Sequence, residues 1–319
     1  MKNKACIITG GAGFIGSHLC RFLLEKGYRV ICLDNLLTGN IANIHKLNNY
    51  SAFRFLKTDV IQKDQVNKLI GEKNINYIYH LASPASPPQY RKLAIETLLV
   101  NSIGTLNMLN LSRKFNSRFL LASTSEVYGD PKEHPQKESY HGNVNPVGLR
   151  ACYDEGKRFA EALAMEYFRK FRMDIRIIRI FNTYGPNMLA TDGRVISNFL
   201  TQALSGKPLT IYGSGDQTRS FCYVSDMVEG LVSAMENNNS NGQVINLGNP
   251  DEIQVRKLAR LVLNLTKSKS KLVNVNKRLE DDPEKRKPDI SKAISLLKWT
   301  PRIDLIIGLT NTVKFFRDL

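Results

Sequence analysis

Along the first half of the chain, short apolar runs alternate with stretches whose apolar residues recur every third or fourth position. The runs read as buried strands and the periodic stretches as amphipathic helices. Ala5-Cys6-Ile7-Ile8-Thr9 predicts a strand, Phe14 to Glu25 a helix, and Arg29-Val30-Ile31-Cys32-Leu33 a second strand. Phe53 to Leu56, Tyr77 to Leu81 and Phe119 to Ser123 predict the third, fourth and fifth. Ile175 to Arg179 predicts a sixth, after a long helix from Arg150 to Lys170. Another helical stretch runs from Arg91 to Arg113. Such alternation predicts an α/β fold, a Rossmann-like doubly wound parallel sheet with right-handed crossovers. Beyond residue 180 the alternation weakens into a smaller lobe. There Glu229 to Met235 and Ile303 to Phe316 read as packing helices and Asn237 to Asn241 as a surface loop.

Composition narrows the class. With 319 residues, 42% hydrophobic and 23% charged, the chain can build a large core. No run approaches the roughly 18 to 20 apolar residues of a membrane span, and Met1 to Lys4 lead directly into a strand. The reading is a cytoplasmic protein without a membrane partner. Five scattered cysteines (Cys6, Cys20, Cys32, Cys152, Cys222) in no ligand-like spacing argue against a disulfide framework or a metal site. The net charge of +16 raises the question of nucleic acid. The basic clusters Lys267 to Lys271 and Lys285 to Lys287 are short and lack interleaved aromatics, so no nucleic-acid partner is expected and the charge is assigned to solvated surface plus a site for a small anion.

Thr9-Gly10-Gly11-Ala12-Gly13-Phe14-Ile15-Gly16 is the first chemical signal. Gly10, Gly13 and Gly16 follow a strand and open a helix, which supplies a tight turn, close backbone approach and helix amides aimed at a pyrophosphate. Asp34 closes the second strand roughly 20 residues on, where a carboxylate binds ribose hydroxyls and repels a 2′-phosphate, favouring NAD over NADP. Asp59-Val60 and Leu81-Ala82-Ser83 occupy later strand ends, with Asp59 expected near the adenine.

The second signal is Ser123-Thr124-Ser125-Glu126-Val127-Tyr128-Gly129 followed by Tyr153-Asp154-Glu155-Gly156-Lys157. Tyr153 and Lys157, one turn apart, share a helix face. A phenol of pKa ~10 is a poor base at neutral pH, and lowering it by about three units asks roughly 4 kcal/mol of the Lys157 ammonium and a cationic nicotinamide. Tyr153 is thus the candidate base for a sugar hydroxyl, with Thr124 bonded to the same hydroxyl.

With the residues on the page, the chain resembles the extended short-chain dehydrogenase/reductases that modify nucleotide sugars, and among them the UDP-glucuronate decarboxylase branch. The resemblance covers nearly the whole chain. It rests on Gly10 to Gly16, His80 to Pro88, Ser123 to Pro131, Arg150 to Arg158, Arg179 to Pro186, Tyr212 to Gly215 with Gln217-Thr218-Arg219, and Asp281 to Asp289. It implies a domain over 1–180 that binds NAD and carries the catalytic residues, and a nucleotide-sugar-binding lobe over 181–319 with some segments returning to the sheet. It implies a cofactor contact for Phe14, Ile15, Asn35, Thr38, Gly39, Val60, Leu81, Ser83, Thr183 and Arg194, besides the glycines, Asp34, Asp59, Tyr153 and Lys157. The UDP-sugar substrate is implied to meet Ser86, Tyr90, Asn182, Ile196, Ser197, Asn198, Tyr212, Gln217, Arg219 and Arg286. Arg219 is the choice for the reacting region, since a guanidinium holds a carboxylate with two parallel hydrogen bonds. Leu99 departs from the family, standing where many members carry a substrate-holding Lys, and the membrane anchor of the animal members is not seen. The helices 91–113 and 150–170 are the surfaces such enzymes pair, which implies a homodimer.

The residue types separate neighbouring chemistries. Once C4 is a ketone, a 6-carboxylate becomes a β-keto acid that loses CO2. A 4,6-dehydratase has an Asp-Glu pair to expel a C6 hydroxyl; here the pair is Ser125-Glu126, suited to placing a carboxylate and returning a proton to C5 through Glu126 or a water it orients. The other readings are a 4,6-dehydratase, a 4-epimerase, an oxidative decarboxylase releasing the 4-keto pentose, and a non-catalytic NAD-binding regulator.

Overall fold

The computed structural model describes residues 4–275 and 285–319. Seven parallel strands form its main sheet: β1 (Ala5–Thr9), β2 (Arg29–Asp34), β3 (Phe53–Lys57), β4 (Ile75–His80), β5 (Arg118–Thr124), β6 (Ile175–Ile180) and the strand Gln243–Leu247. From one edge to the other the order is Gln243–Leu247, β6, β5, β4, β1, β2, β3. Alternate residues of each strand face opposite layers. Cys6, Ile8, Val30 and Cys32 pack on Leu19 and Leu23 of helix α1 (Phe14–Glu25) and on Met227 and Leu231 of the helix Val224–Glu236. Ile7, Ile31, Ile78, Phe119 and Ile177 pack on Met108, Ala160 and Ala164 from the helices Thr105–Phe115 and Ala151–Phe171. Each such aliphatic side chain contributes about 1.5–3 kcal/mol by burial. Both faces being covered explains why the strands read as continuous apolar runs.

Three details differ from the sequence reading. The fourth strand starts at Ile75 and ends at His80, after which the Leu81 amide is shared between the carbonyl and the hydroxyl of Thr9. The single helix expected over 91–113 is broken into Pro87–Lys92, Ala94–Leu99, a π turn at Val100–Gly104, and Thr105–Phe115. At that turn Asn101 donates to Thr97 O (2.8 Å) and to Ser83 Oγ (3.0 Å), tying the helix to the end of β4. The loop 237–241 is not simply surface. Its Ser240 is fully buried and accepts from Nε of the equally buried Arg176 at 3.1 Å, since a guanidinium in the core needs a partner.

The C-terminal half builds a third core from Phe199, Leu200, Ile211, Leu258, Val262 and Leu309, beside the carboxyl ends of the strands. Its strand Thr218–Ser220 lies between Glu252–Gln254 and Lys285–Arg286, and so brings Arg219 beside Arg286. Among the described residues no helix is long and apolar enough to cross a membrane. The acidic run Asp281 to Glu284 lies outside the described residues.

Candidate functional site

The strand order reverses between β1 and β4, which opens a crevice at their carboxyl ends, where open α/β sheets bind ligands. The glycine turn borders it. Gly10 takes φ +69°, and a Cβ on Gly16 would stand 2.1 Å from Gly10 O, so the turn can close only with glycine there. Gly13 caps α1 with no side-chain hydrogen bond, leaving the first-turn amides to a ligand. Asp34, buried at the end of β2, accepts from Leu36 N (2.8 Å) and Ala12 N (3.0 Å). Burial raises its pKa and the two amides oppose the rise. Gly39 closes over it, for a Cβ there would lie 2.7 Å from Asp34 Oδ1. Asn35 donates to Asp59 at 3.3 Å, so these two predicted residues meet. Across the crevice, Thr9 Oγ1 accepts from the Leu81 and Ala82 amides, and it contacts His80, whose pKa burial lowers to about 3 and which is therefore neutral. Phe14 and Ile15 open α1, Val60 packs below Gly104, and Ser83 is held by Asn101. A glycine-only cradle, uncapped helix amides and a carboxylate beyond the second strand fit a dinucleotide without a 2′-phosphate.

Tyr153 stands at the start of the helix Ala151–Phe171, buried, its phenol hydrogen-bonded to the side chain of Thr124 and its ring stacked on Tyr90 at 5.0 Å and 2°. Thr124 and Tyr153 are thus brought together as expected, with Tyr90 stacked beside them. Lys157 stands one turn further along the same helix. Its Nζ donates to Ala122 O at 2.8 Å and lies 6.0 Å from the Tyr153 ring centre. Burial pushes Tyr153 up to about 12, while the Thr124 hydrogen bond and Arg194 pull it down. Burial also lowers Lys157 to about 8, opposed by Glu161. Arg194, expected at the cofactor, is held by Asp192 through both carboxylate oxygens, at 2.6 and 2.8 Å.

Glu126 is held by two cations. Its two carboxylate oxygens each accept from a different guanidinium, Oε2 from Arg150 and Oε1 from Arg286. Burial alone would raise its pKa, but Arg150, Arg286 and Arg219 hold it below the usual carboxylate value. A carboxylate so held is a poor proton donor. Arg286, expected only among the substrate contacts, reaches the catalytic pair, and Arg219 is buried beside it. Arg150 was missed as a functional residue. The signal available was chemical: a buried Glu beside an oxyanion site needs cations, and Arg150 stands at the cap of the helix bearing Tyr153.

The remaining predicted substrate residues lie around the lobe. Ser86 and Tyr90 are buried with hydroxyls that have no partner. Asn182 and Thr183 follow β6, with Thr183 Oγ1 turned back to Phe181 O. Ile196 and Ser197 are fully buried in the helix Val195–Leu204, where Ser197 Oγ donates to Arg194 O and Asn198 to Gly193 O. Tyr212 is partly exposed and its carbonyl accepts from Gln217. Thr38 flanks the loop over Asp34. Among the described residues no cluster of His, Cys, Asp and Glu could hold a metal ion.

A dinucleotide cradle joined to a buried Thr, Tyr and Lys beneath a separate lobe defines an extended short-chain dehydrogenase/reductase. Residues 7–312 match the family model described as GDP-mannose 4,6 dehydratase. The chain is 50% identical over 317 residues to UDP-glucuronic acid decarboxylase 1 of Arabidopsis thaliana (99% of this chain, 71% of that protein). It is 49% identical over 314 residues to the Xenopus tropicalis protein of the same name (98% and 72%). A solved UDP-glucuronic acid 4-epimerase from Bacillus cereus, in complex with UDP-glucuronic acid and NAD, superposes with TM-score 0.87 at 29% identity, covering 98% of this chain and 99% of that one. The chain belongs to this dehydratase-type family and, within it, to the UDP-glucuronic acid decarboxylases.

Proposed function

We propose that this enzyme decarboxylates UDP-glucuronate to UDP-xylose with NAD as a recycled cofactor. The observation that carries the reading is Ser125-Glu126, held between Arg150 and Arg286, one residue from the Thr124 that bonds Tyr153. Gly10, Gly13, Gly16 and Asp34 would hold the dinucleotide. Bound there, NAD would supply the hydride acceptor for oxidation at sugar C4 and, as NADH, the donor for its re-reduction.

Tyr153, made ionisable by cations brought near it, accepts the C4 hydroxyl proton while Thr124 holds that oxygen. The 4-keto acid then loses CO2, the C5–C6 electron pair passing into the enolate. Ser125 and the ionised Glu126 orient a water that protonates C5, its hydroxide taking up a proton from bulk solvent, and Tyr153 returns its proton to the C4 oxygen. Arg219 and Arg286 provide the cations for the anionic substrate. A dehydratase would need an acid for a departing hydroxyl, and Glu126 is not one.

We further propose a homodimer in a reducing, cytoplasmic compartment. The described cysteines are all free, as suits such a compartment. Ile95, Leu98, Ile103 and Phe159 are exposed on the helices flanking the catalytic one or on that helix itself, an apolar stripe suited to a second copy. Incubation with NAD and UDP-glucuronate, followed by mass spectrometry, tests the reaction. Loss of CO2 with a UDP-pentose product supports it; a product two hydrogens lighter with stoichiometric NADH points to release of the 4-keto pentose, and loss of water to a dehydratase.

A further inference from the structure

Glu161 lies one turn beyond Lys157 on the catalytic helix, about nine-tenths buried, and touches neither crevice nor lobe. Its Oε1 accepts from Ser123 Oγ at 2.5 Å and from Arg179 Nε at 3.0 Å, and its Oε2 from Arg179 Nη2 at 2.8 Å. Arg179 is fixed in turn by the Tyr128 hydroxyl (3.0 Å) and Glu138 O (3.2 Å), and Tyr128 donates to Asn246 at 2.8 Å. Asn246 donates to Gln136 O and Asp289 O, and Gln136 pairs with Lys287, the neighbour of Arg286. A continuous polar chain therefore runs from behind Lys157 to the strand presenting Arg286.

A buried carboxylate costs several kcal/mol unless it is paired, so this one is retained at a cost that apolar packing would avoid. We propose that Glu161 is a positioning residue whose negative charge keeps the Lys157 ammonium protonated beside Tyr153, with Arg179 and Ser123 holding that charge in place. The groups facing Lys157 are few. They are Tyr153 and Glu161 from its own helix, neutral His80 from β4 and the Ala122 carbonyl from β5; Arg179 of β6 reaches it only through Glu161. Among the described residues Glu161 is thus the anion that faces the ammonium, and burial works against that charge. Removing Glu161 leaves Arg179 as an uncompensated cation in its place, which drives Lys157 further towards the neutral amine.

The inference rests on Tyr153 as the base of the proposed reaction, and two measurements keep the two separable. In full-length Glu161→Gln, the alkaline limb of kcat/KM for UDP-glucuronate should fall at a pH lower by about one unit or more, with kcat at neutral pH reduced more than KM is raised. In the NAD complex without sugar, ultraviolet difference titration against a Tyr153→Phe background should show Tyr153 ionising at higher pH in Glu161→Gln than in the parent. Should the parent fail to turn over UDP-glucuronate, the substrate assignment falls, and the titration alone decides for or against Glu161. Lower stability and kcat with an unmoved profile and an unmoved titration would overturn the proposal. If Glu161→Gln does not fold, Glu161→Asp, which keeps the charge but withdraws it, should show a smaller shift in the same direction, and no shift would overturn it.

Discussion

A carboxylate shared between two guanidiniums stays ionised through the neutral range, and this limits what Glu126 can do. Glu126→Gln should slow CO2 release by about 10²- to 10⁴-fold, as loss of a group that governs a proton transfer does, while NAD affinity stays within a few-fold. Mass spectrometry and cofactor titration measure the two, and equal losses would remove Glu126 from the decarboxylation step. The same clamp has a pH signature. The folded-state pKa of Glu126 lies below its unfolded value, so the unfolded state binds the proton first on acidification. The stability from the clamp is present above about pH 4.3 and is lost as pH falls through the folded pKa. Urea unfolding of the parent and Glu126→Gln should therefore differ most near neutrality and converge in acid. The Thr124–Tyr153 pair was legible in the sequence because a strand end and a helix start present it locally. The partners of Glu126 were not, since no motif or periodicity marks Arg150 or Arg286 as facing it. Nor does spacing reveal which carbonyl lies under Lys157, and Ala122 takes its ammonium.

The elements were legible where one interaction dominates. The buried parallel strands announce themselves as apolar runs, and α1 matches its expected bounds of Phe14–Glu25, because the glycine turn fixes its start. That turn yields a sharp test. In Gly16→Ala the new methyl meets a backbone oxygen rather than a flexible side chain, so α1 must shift away from β1. A fall in Tm of several degrees and at least a tenfold loss of NAD affinity are expected, read by calorimetry and by cofactor fluorescence titration, because over-packing costs about 1–3 kcal/mol. The interrupted helix before β5 was not legible. Apolar periodicity continues through residues 91–113, whereas the π turn is made by Asn101 bonding across to Ser83, a contact between distant segments. Single extra residues of this kind gather at functional sites, and this one adjoins the crevice.

At the scale of the molecule, the apolar stripe around Ile95 and Phe159 is the feature most open to test. Ile95→Glu should convert the proposed dimer to monomer in sedimentation velocity at micromolar concentration, with the secondary structure unchanged by circular dichroism. An unaltered sedimentation coefficient would assign the stripe to another use. The place of Gln243–Leu247 in the sheet depends on pairing with β6 across the whole lobe, and no local pattern marks it. That strand also governs the timing of folding during synthesis. Until residue 247 has emerged from the ribosome, β6 has an open flank, a template for wrong pairing. The catalytic tyrosine is made before that partner strand, so the growing chain passes through an interval in which β6 is the exposed edge of the sheet.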